Sequence, residues 1–393
     1  MKEGRCYVQA LGLVCALGEG VRAVGAALAA AETHHLSVEE GWLPGASACV
    51  GKVLAPLAPL PEALSRFDCR NNRLLAAALA QIRTQVEAAA ARHGAHRIGV
   101  VIGTSTSGIA AGEEAMAARI RQGAFPPSFR YEQQEIGATA PVAARLAGAS
   151  GPAYTVSTAC TSGAKALVAA RRLLDLGLCD AVVAGGVDSL CRLTVSGFAA
   201  LELAAPERCN PMSRNRRGTN IGEGAALFLL SREPAALALV GAGESTDAYH
   251  LSAPDPAGIA PESAMRRALL EANASATAVA YVNLHATATR KNDEMESRVM
   301  ARVFPRSTPM SGTKPLTGHA LGAAGAIEAA FCCMALTGEG LLPPHVWDGE
   351  ADPELPALEL VGRGARLAPG SGRLVMSNSF AFGGSNASLI FSD

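Results

Sequence analysis

The chain has 393 residues, 49% of them hydrophobic and 18% charged, with a formal net charge of −1 at pH 7. That length buries two domains or one large one. The charge balance argues against a general nucleic-acid field, and an aromatic content of 4% argues against a base-stacking surface. No apolar run reaches the ~18 residues of a membrane span. The opening MKEGRCYVQALGLVCALGEG does not read as a secretory signal, because Gly12 and Gly18 break its apolar run. The ten cysteines include no C-x-x-C pair and no zinc-type Cys/His spacing. No metal centre is therefore expected, and the thiols should be reduced, as in a cytoplasmic protein.

In chain order, CYVQALGLVCALG reads as a first strand and turn. HHLSVEEGWLPGASACVGKVLAPLAPLPE reads as a long, irregular, proline-rich loop. RIGVVIGTSTSG is strand then Gly-rich turn, whose Thr106, Ser107 and Ile109 are expected to shape a pocket. FPPSFRYEQQEIGATA, which contains Ile136, is a second long loop. Tyr154 to Ser157 is β-prone and leads through Cys160 into an Ala/Leu-rich helix; CDAVVAGGVDS and AALFLLS are strands. AVAYVNLHAT is a strand, GAAGAIEAAFCCMALTG a helix, and RLVMSNSF and NASLIFS are closing strands. Continuous apolar strands between helices predict an α/β fold with a parallel-rich sheet covered on both faces. VSTACTSGAKALVAARRLL echoes LTGHALGAAGAIEAAFCCMAL, each with a reactive side chain just ahead of a small-residue helix. The echo predicts a duplicated unit divided near Pro234, into residues 1–234 and 235–393.

Cys160 is the most informative residue. It lies on the turn into a helix, where unpaired N–H groups and the positive end of the dipole favour a thiolate. Small neighbours, Ala159 to Gly163, leave the sulfur approachable. The competing reading is a buried structural thiol. Three further motifs bear on the choice. VNLHATATRKNDEMES delivers His285 at a strand's C-terminal end, where open α/β sheets place their sites. Thr287 and Thr289 follow at a spacing of two, and Asp293 and Glu296 share a helix face. SGTKPLTGHALGAAGAIEAA supplies Lys314, His319 and Glu328, and SNSFAFGGSNAS contains a Gly383–Gly384 bend. Each piece alone is weak; a lone strand-end histidine is more often a satisfied polar residue.

In this order and spacing the motifs resemble the β-ketoacyl-acyl-carrier-protein synthases of the thiolase superfamily, over nearly the whole chain. The resemblance runs through YVQALGLVCALG, STACTSGAKA, AGGVDS, CNPMSRNRRGTNIGEGAA, HATATRKND, GTKPLTGHALGAAGA and NSFAFGGSNA. It implies duplicated thiolase-like α/β halves in a layered α-β-α-β-α core. It implies an elongating, Cys-His-His acyltransferase rather than an initiating Cys-His-Asn one. The chain departs from the common pattern at Ala286 and Ala288, which replace glycines, at Ala381, and at Arg217, where an acidic residue is usual. GTSTSGIAAGE and RYEQQEIG look more like the ketosynthases of aryl-polyene-type pigment clusters.

The resemblance also implies roles. Cys160 would carry the acyl chain, and His285 and His319 would donate N–H to the enolate of a decarboxylating malonyl unit. The backbone N–H groups of Cys160 and Phe382 would form an oxyanion hole. Lys314 would hold the His319 loop through Glu296 or Asp293. Thr287 and Thr289 would bind the phosphopantetheine arm, and Phe380 and Phe382 would belong to a gate. Asn283, Glu328, Ser377 and Asn378 match positions around a structural monovalent cation in some members; no other cofactor is implied. The expected partners are an acyl carrier protein, faced by Arg70, Arg73 and Arg216, and a second subunit, identical or paralogous. A CoA-dependent thiolase is disfavoured because no cysteine follows Cys333, and a non-catalytic chain-length partner because the catalytic trio is present.

Overall fold

The computed structural model describes residues 5–393. In the first half, β1 (Cys6–Cys15) precedes α1 (Arg70–Ala80), β2 (Ile98–Gly103), α2 (Ile109–Gln122), α3 (Thr139–Ala147), β3 (Ala153–Val156), α4 (Ser162–Asp175), β4 (Ala181–Asp188), α5 (Arg192–Ala200) and β5 (Gly224–Ser231). The second half comprises β6 (Leu237–Thr246), α6 (Ile259–Glu271), β7 (Val279–Asn283), α7 (Arg290–Val303), β8 (Pro309–Ser311), α8 (Ala324–Thr337), β9 (Leu374–Phe380) and β10 (Ser385–Ser392).

Five strands of the first half run in the order β3-β2-β4-β5-β1, with β3, β2 and β4 parallel and the β4–β5 and β5–β1 pairs antiparallel. Five of the second run β8-β7-β9-β10-β6 with the same pattern of directions. That repetition is the duplication the sequence echo predicts. The halves join where β1 and β6 pair antiparallel, Cys6 opposite Leu239 and Val8 opposite Leu237. β2 and β4 are buried along their whole length, which explains their uninterrupted apolar sequence.

The helices form three layers. α4 and α8 lie between the two halves of the continuous sheet, where Leu167 and Phe331 share a core with Val182, Phe228, Leu389 and Phe391. α1 and α3 cover the outer face of the first half through Leu75 and Val142. α6 and α7 cover the second through Met265 and Val299. The order is therefore α-β-α-β-α. No helix among the described residues is long and apolar enough to cross a membrane.

One loop expectation is corrected. Within the proline-rich segment, Leu36–Leu43 and Ala46–Gly51 form a hairpin, and its second strand pairs with Ile221–Gly222. Its second strand is buried from Ala48 to Gly51 by tertiary pairing, which no local hydrophobic period announces. The other expected loop contains short 3-10 turns, Tyr131–Gln133 and Ile136–Ala138, before α3 begins.

The central helices approach closely because their facing residues are small. A Cβ on Gly163 would lie 2.8 Å from the Gly322 carbonyl oxygen and 3.0 Å from the Ala326 Cβ. One on Gly325 would lie 2.9 Å from the Ala164 Cβ and 2.7 Å from the Ser379 hydroxyl. Gly325→Val should therefore destabilise the protein by about 1–3 kcal/mol through overpacking. Chemical denaturation checks this; a variant as stable as the parent would mean that the helices can separate freely.

Candidate active site

Cys160 stands immediately before α4, whose first turn begins at Ser162. Ala159, just ahead of it, has a φ of 51°, a left-handed conformation that costs an L-residue about 1–2 kcal/mol. The Thr158 N–H and the Ala159 carbonyl are both bound to the Ser162 hydroxyl, at 2.9 and 2.6 Å, which holds this turn. Cys160 is 5% exposed.

His319 faces it, with Nε2 2.9 Å from Sγ. The histidine backbone is pinned on both sides: its N–H donates to Asn220 O at 2.6 Å, and its carbonyl accepts from Gly222 N–H at 3.0 Å. The approach requires glycine at Gly222, where a Cβ would fall 2.3 Å from the Thr317 carbonyl oxygen. His285 follows β7, and its ring crosses that of His319 at 5.3 Å between centroids and 84° between planes. The ligand-type atoms of Cys160, His285 and His319 lie within 4.8 Å of one another. Sequence-distant residues thus meet at one point.

Burial dominates the electrostatics. It pushes the Cys160 thiol up to about 12, although the Lys314 charge and the Phe382 backbone N–H act in the opposite sense. Burial therefore opposes the helix-terminus thiolate expected from the sequence. Burial, followed by the Lys314 charge, holds both His285 and His319 well below their usual range, so both are neutral. Neither Nδ1 has a hydrogen-bond partner among the described residues. No neighbour locks the tautomer, so Nε2 can accept the thiol proton or present an N–H.

Lys314 is 1% exposed. Its ammonium donates to Glu328 at 2.5 Å and to the His285 carbonyl. The expected partnership with Glu296 or Asp293 is not formed. Those carboxyls hold the His285 turn instead. Glu296 accepts from the N–H groups of His285 and Ala286, each at 2.7 Å, and Asp293 from those of Met212 and Ala288. Burial pushes Glu296 up to about 7 and Asp293 to about 6. Ala286 and Ala288, which replace the common glycines, have φ of 42° and 62°. The carboxyl clamps hold a conformation that glycine would adopt without strain. Thr287 and Thr289 point together, their hydroxyls 2.9 Å apart.

Phe380 is buried beside His285, with centroids 5.8 Å apart. Phe382 is partly exposed and stacks on Phe198 of α5 at 5.2 Å. Phe198 was not singled out from the sequence, because nothing local marks it. The Gly383–Gly384 bend is tied to the 247–251 segment: Gly384 O accepts from Asp247 N–H, and Gly383 N–H donates to Leu251 O.

Of the three arginines expected to face a partner, Arg216 alone is withdrawn into the interior, while Arg70 and Arg73 stay part-exposed. Arg216 is buried and paired with Asp352 and Glu294. Arg70 is held in a fork on the buried Glu223, and Arg73 pairs with Asp68. Arg208 and Arg217 are exposed instead and line a cleft of about 360 Å³. The cleft adjoins the threonine turn, since Gly218 N–H donates to Ala288 O at 3.0 Å. Thr106 and Ser107 are also corrected. Their hydroxyls are fully buried, bound to Asp188 and to the Glu135 carbonyl, so the polar atoms of this turn are spent on the fold.

Two outcomes test this electrostatic picture. Iodoacetamide alkylation of Cys160 should accelerate through pH 9 without levelling, and a plateau below pH 8 would reveal a resting thiolate. Lys314→Met should destabilise the protein by about 3–5 kcal/mol, because it strands Glu328 in the interior. Lys314→Met/Glu328→Leu should recover much of that loss in thermal unfolding, and no recovery would show that the buried pair is not the cause.

Residues 68–236 match the model for the beta-ketoacyl synthase N-terminal domain, and residues 237–347 match that for the C-terminal domain. Nodulation protein E of Rhizobium meliloti is 35% identical over 309 residues, 75% of each chain. 3-Oxoacyl-[acyl-carrier-protein] synthase 2 of Vibrio cholerae is 33% identical over 317 residues, 76% of each. Among solved structures, the ketosynthase ApeO of Xenorhabdus doucetiae, in complex with its chain length factor ApeC, superposes with a TM-score of 0.95 at 43% identity. That match covers 99% of this chain and 98% of the other. The chain belongs to the beta-ketoacyl synthases, condensing acyltransferases of the thiolase fold.

Proposed function

We propose that this chain is an elongating β-ketoacyl-acyl-carrier-protein synthase of a specialised, aryl-polyene-type pathway in the cytoplasm. The observation that carries the chemistry is the convergence of the Cys160 sulfur, His285 and His319 beside the Phe382 N–H. In this reading, residues 1–234 supply the nucleophile and residues 235–393 both histidines.

Cys160 attacks the thioester of an acyl carrier protein while His319 Nε2 takes the thiol proton and passes it to the departing phosphopantetheine sulfur. A malonyl-carrier protein then enters along Thr287 and Thr289 and loses CO2. The enolate oxygen accepts from Nε2–H of His285 and His319, whose neutral state suits a donor that must not be fully cationic. The enolate carbon attacks the acyl thioester. The backbone N–H groups of Cys160 and Phe382 receive the tetrahedral oxyanion, which collapses to expel the Cys160 thiolate. Phe382, stacked on Phe198, gates this exchange with Phe380 behind it. Arg208 and Arg217 face the acidic carrier protein, while Arg216 is taken by an internal pair.

A structural monovalent cation fits the donor set. Asn283 Oδ1 and Glu328 Oε2 are buried without a hydrogen-bond partner, and Ser377 lies opposite Asn283 in the sheet. Asn283, Glu328 and Ser377 would hold the ion, whereas Asn378 faces the other side of its strand, against Met265, with its amide carbonyl accepting from Ser388. The ion would supply positive charge behind Lys314.

The partner is a second copy or a paralogous chain-length subunit. β3 pairs on one edge only and is largely exposed, and such a free edge is normally covered. The relative ApeO is described in complex with a chain length factor, which supports the paralogue. The loop containing Phe129 and Gln133 walls a cavity of about 1290 Å³.

Three measurements test the reading. Cys160→Ala should fold yet abolish condensation; residual turnover at an appreciable rate would remove the nucleophile assignment. His285→Ala should still form acyl-Cys160 while malonyl decarboxylation falls about 100- to 1000-fold, the usual loss for one oxyanion donor. Carrier proteins loaded with hexadecanoyl, octanoyl or short polyene chains should acylate Cys160 fastest with the polyene. Equal or faster use of hexadecanoyl would make the protein a general elongation enzyme.

A further inference from the structure

One buried carboxylate near Cys160 has no part in the chemistry above. Asp188 ends β4 in the AGGVDS motif and is completely buried. It forms no ion pair among the described residues, so hydrogen bonds alone satisfy it. Its Oδ1 accepts from the Thr104 hydroxyl at 2.6 Å, Ser105 N–H at 2.7 Å, Thr106 N–H at 2.9 Å and the Thr106 hydroxyl at 3.0 Å. Its Oδ2 accepts from Gly322 N–H at 2.6 Å.

These contacts reach both sides of the catalytic pair. Ser105, gripped by Asp188 through its N–H, donates its own hydroxyl to the Ala159 carbonyl at 3.2 Å. Ala159 is the left-handed residue directly ahead of Cys160. Gly322 lies three residues after His319, and the intervening Leu321 is also left-handed, with a φ of 46°. A branched apolar residue does not adopt that conformation unless its surroundings impose it. One carboxylate therefore braces a strained residue beside the nucleophile and another beside the histidine, without touching either reactive group. Gly322 has no spare room: a Cβ there would meet Asp188 Oδ2, Ser105 N and the Ser105 hydroxyl, each at 2.8 Å.

We propose that Asp188 is a positioning residue that sets the 2.9 Å contact between Cys160 and His319, by bracing the Ser105–Ala159 and Leu321–Gly322 backbones from a single carboxylate. The proposal deepens the functional reading, since it concerns the same pair. Its readout, alkylation of Cys160, does not depend on which substrates the enzyme takes. Because burial opposes a Cys160 thiolate, its reactivity near neutral pH depends on the neighbouring imidazole.

Asp188→Asn is the sharpest probe. The amide oxygen can keep the Thr104, Ser105 and Thr106 donors, but the NH2 then faces Gly322 N–H, donor against donor. Iodoacetamide alkylation at pH 7.5 should be compared in the parent, Asp188→Asn, His319→Ala and the double variant, with circular dichroism and thermal unfolding on each. Asp188→Asn should slow alkylation by about 10- to 100-fold, the scale of a lost hydrogen bond to a charged group. His319→Ala should then add little, because the contact is already broken. Independent, multiplying effects in a folded double variant would make Asp188 a merely structural residue and overturn the proposal, as would unchanged alkylation in folded Asp188→Asn. Should Asp188→Asn not fold, Ser105→Ala decides the matter. It removes only the hydroxyl on Ala159 and should slow alkylation about 2- to 10-fold, again without adding to His319→Ala. No effect of Ser105→Ala would equally overturn it. If Cys160→Ala proves still able to condense while the alkylation coupling holds, the functional reading fails and the positioning role stands.

Discussion

The close contact of two small-residue helices in the middle of the molecule is the constraint on which the site depends. Cys160 precedes one and His319 precedes the other. Gly163 and Gly325 let the two N-terminal turns come together, and that closeness converts a sequence separation of 159 residues into a 2.9 Å contact. A bulky side chain at either glycine would move reactive groups as well as packing. Core and active site are here the same piece of structure, which is why so many nearby polar residues, Asn283 and Glu328 among them, are fully or almost fully buried.

Burial then sets the chemistry. With water excluded, burial opposes charge on the thiol and on both imidazoles, so the resting centre carries little charge of its own. The nearest fixed cation, Lys314, is spent on Glu328 and a backbone carbonyl. In the proposed mechanism charge appears only when substrate brings it, at the thioester oxygen or the enolate, where the backbone and imidazole N–H groups would receive it. Preorganisation of this kind avoids solvent rearrangement during the reaction.

Much of this was legible in the sequence, and the reason is local. The nucleophile turn and both histidine turns depend on contiguous small residues and strand ends, so Cys160, His285 and His319 carried their own context. The layered fold was legible in the alternation of apolar strands and Ala-rich helices. What was not legible depended on partners far away in the chain. Lys314 chose Glu328 rather than Glu296, Arg216 became internal, and Thr106 and Ser107 turned their hydroxyls inward, because each answered to a buried group supplied by another element. The same holds for the hairpin over Leu36–Gly51, whose burial comes from Ile221 across the sheet. Phe198 needed its stacking partner to be recognised at all.

The seam between β1 and β6 has a historical consequence. The two halves repeat one topology, as copies of a single ancestral unit would, yet they now share backbone hydrogen bonds along that seam and one core around α4 and α8. Each copy has surrendered a different face to the other: one carries Cys160 and the other carries His285 and His319. Inheritance of the two has thereby become indivisible. Divergence of the copies could proceed residue by residue, but neither could afterwards be lost, exchanged or shuffled into another protein without leaving an exposed apolar layer and half a reaction centre.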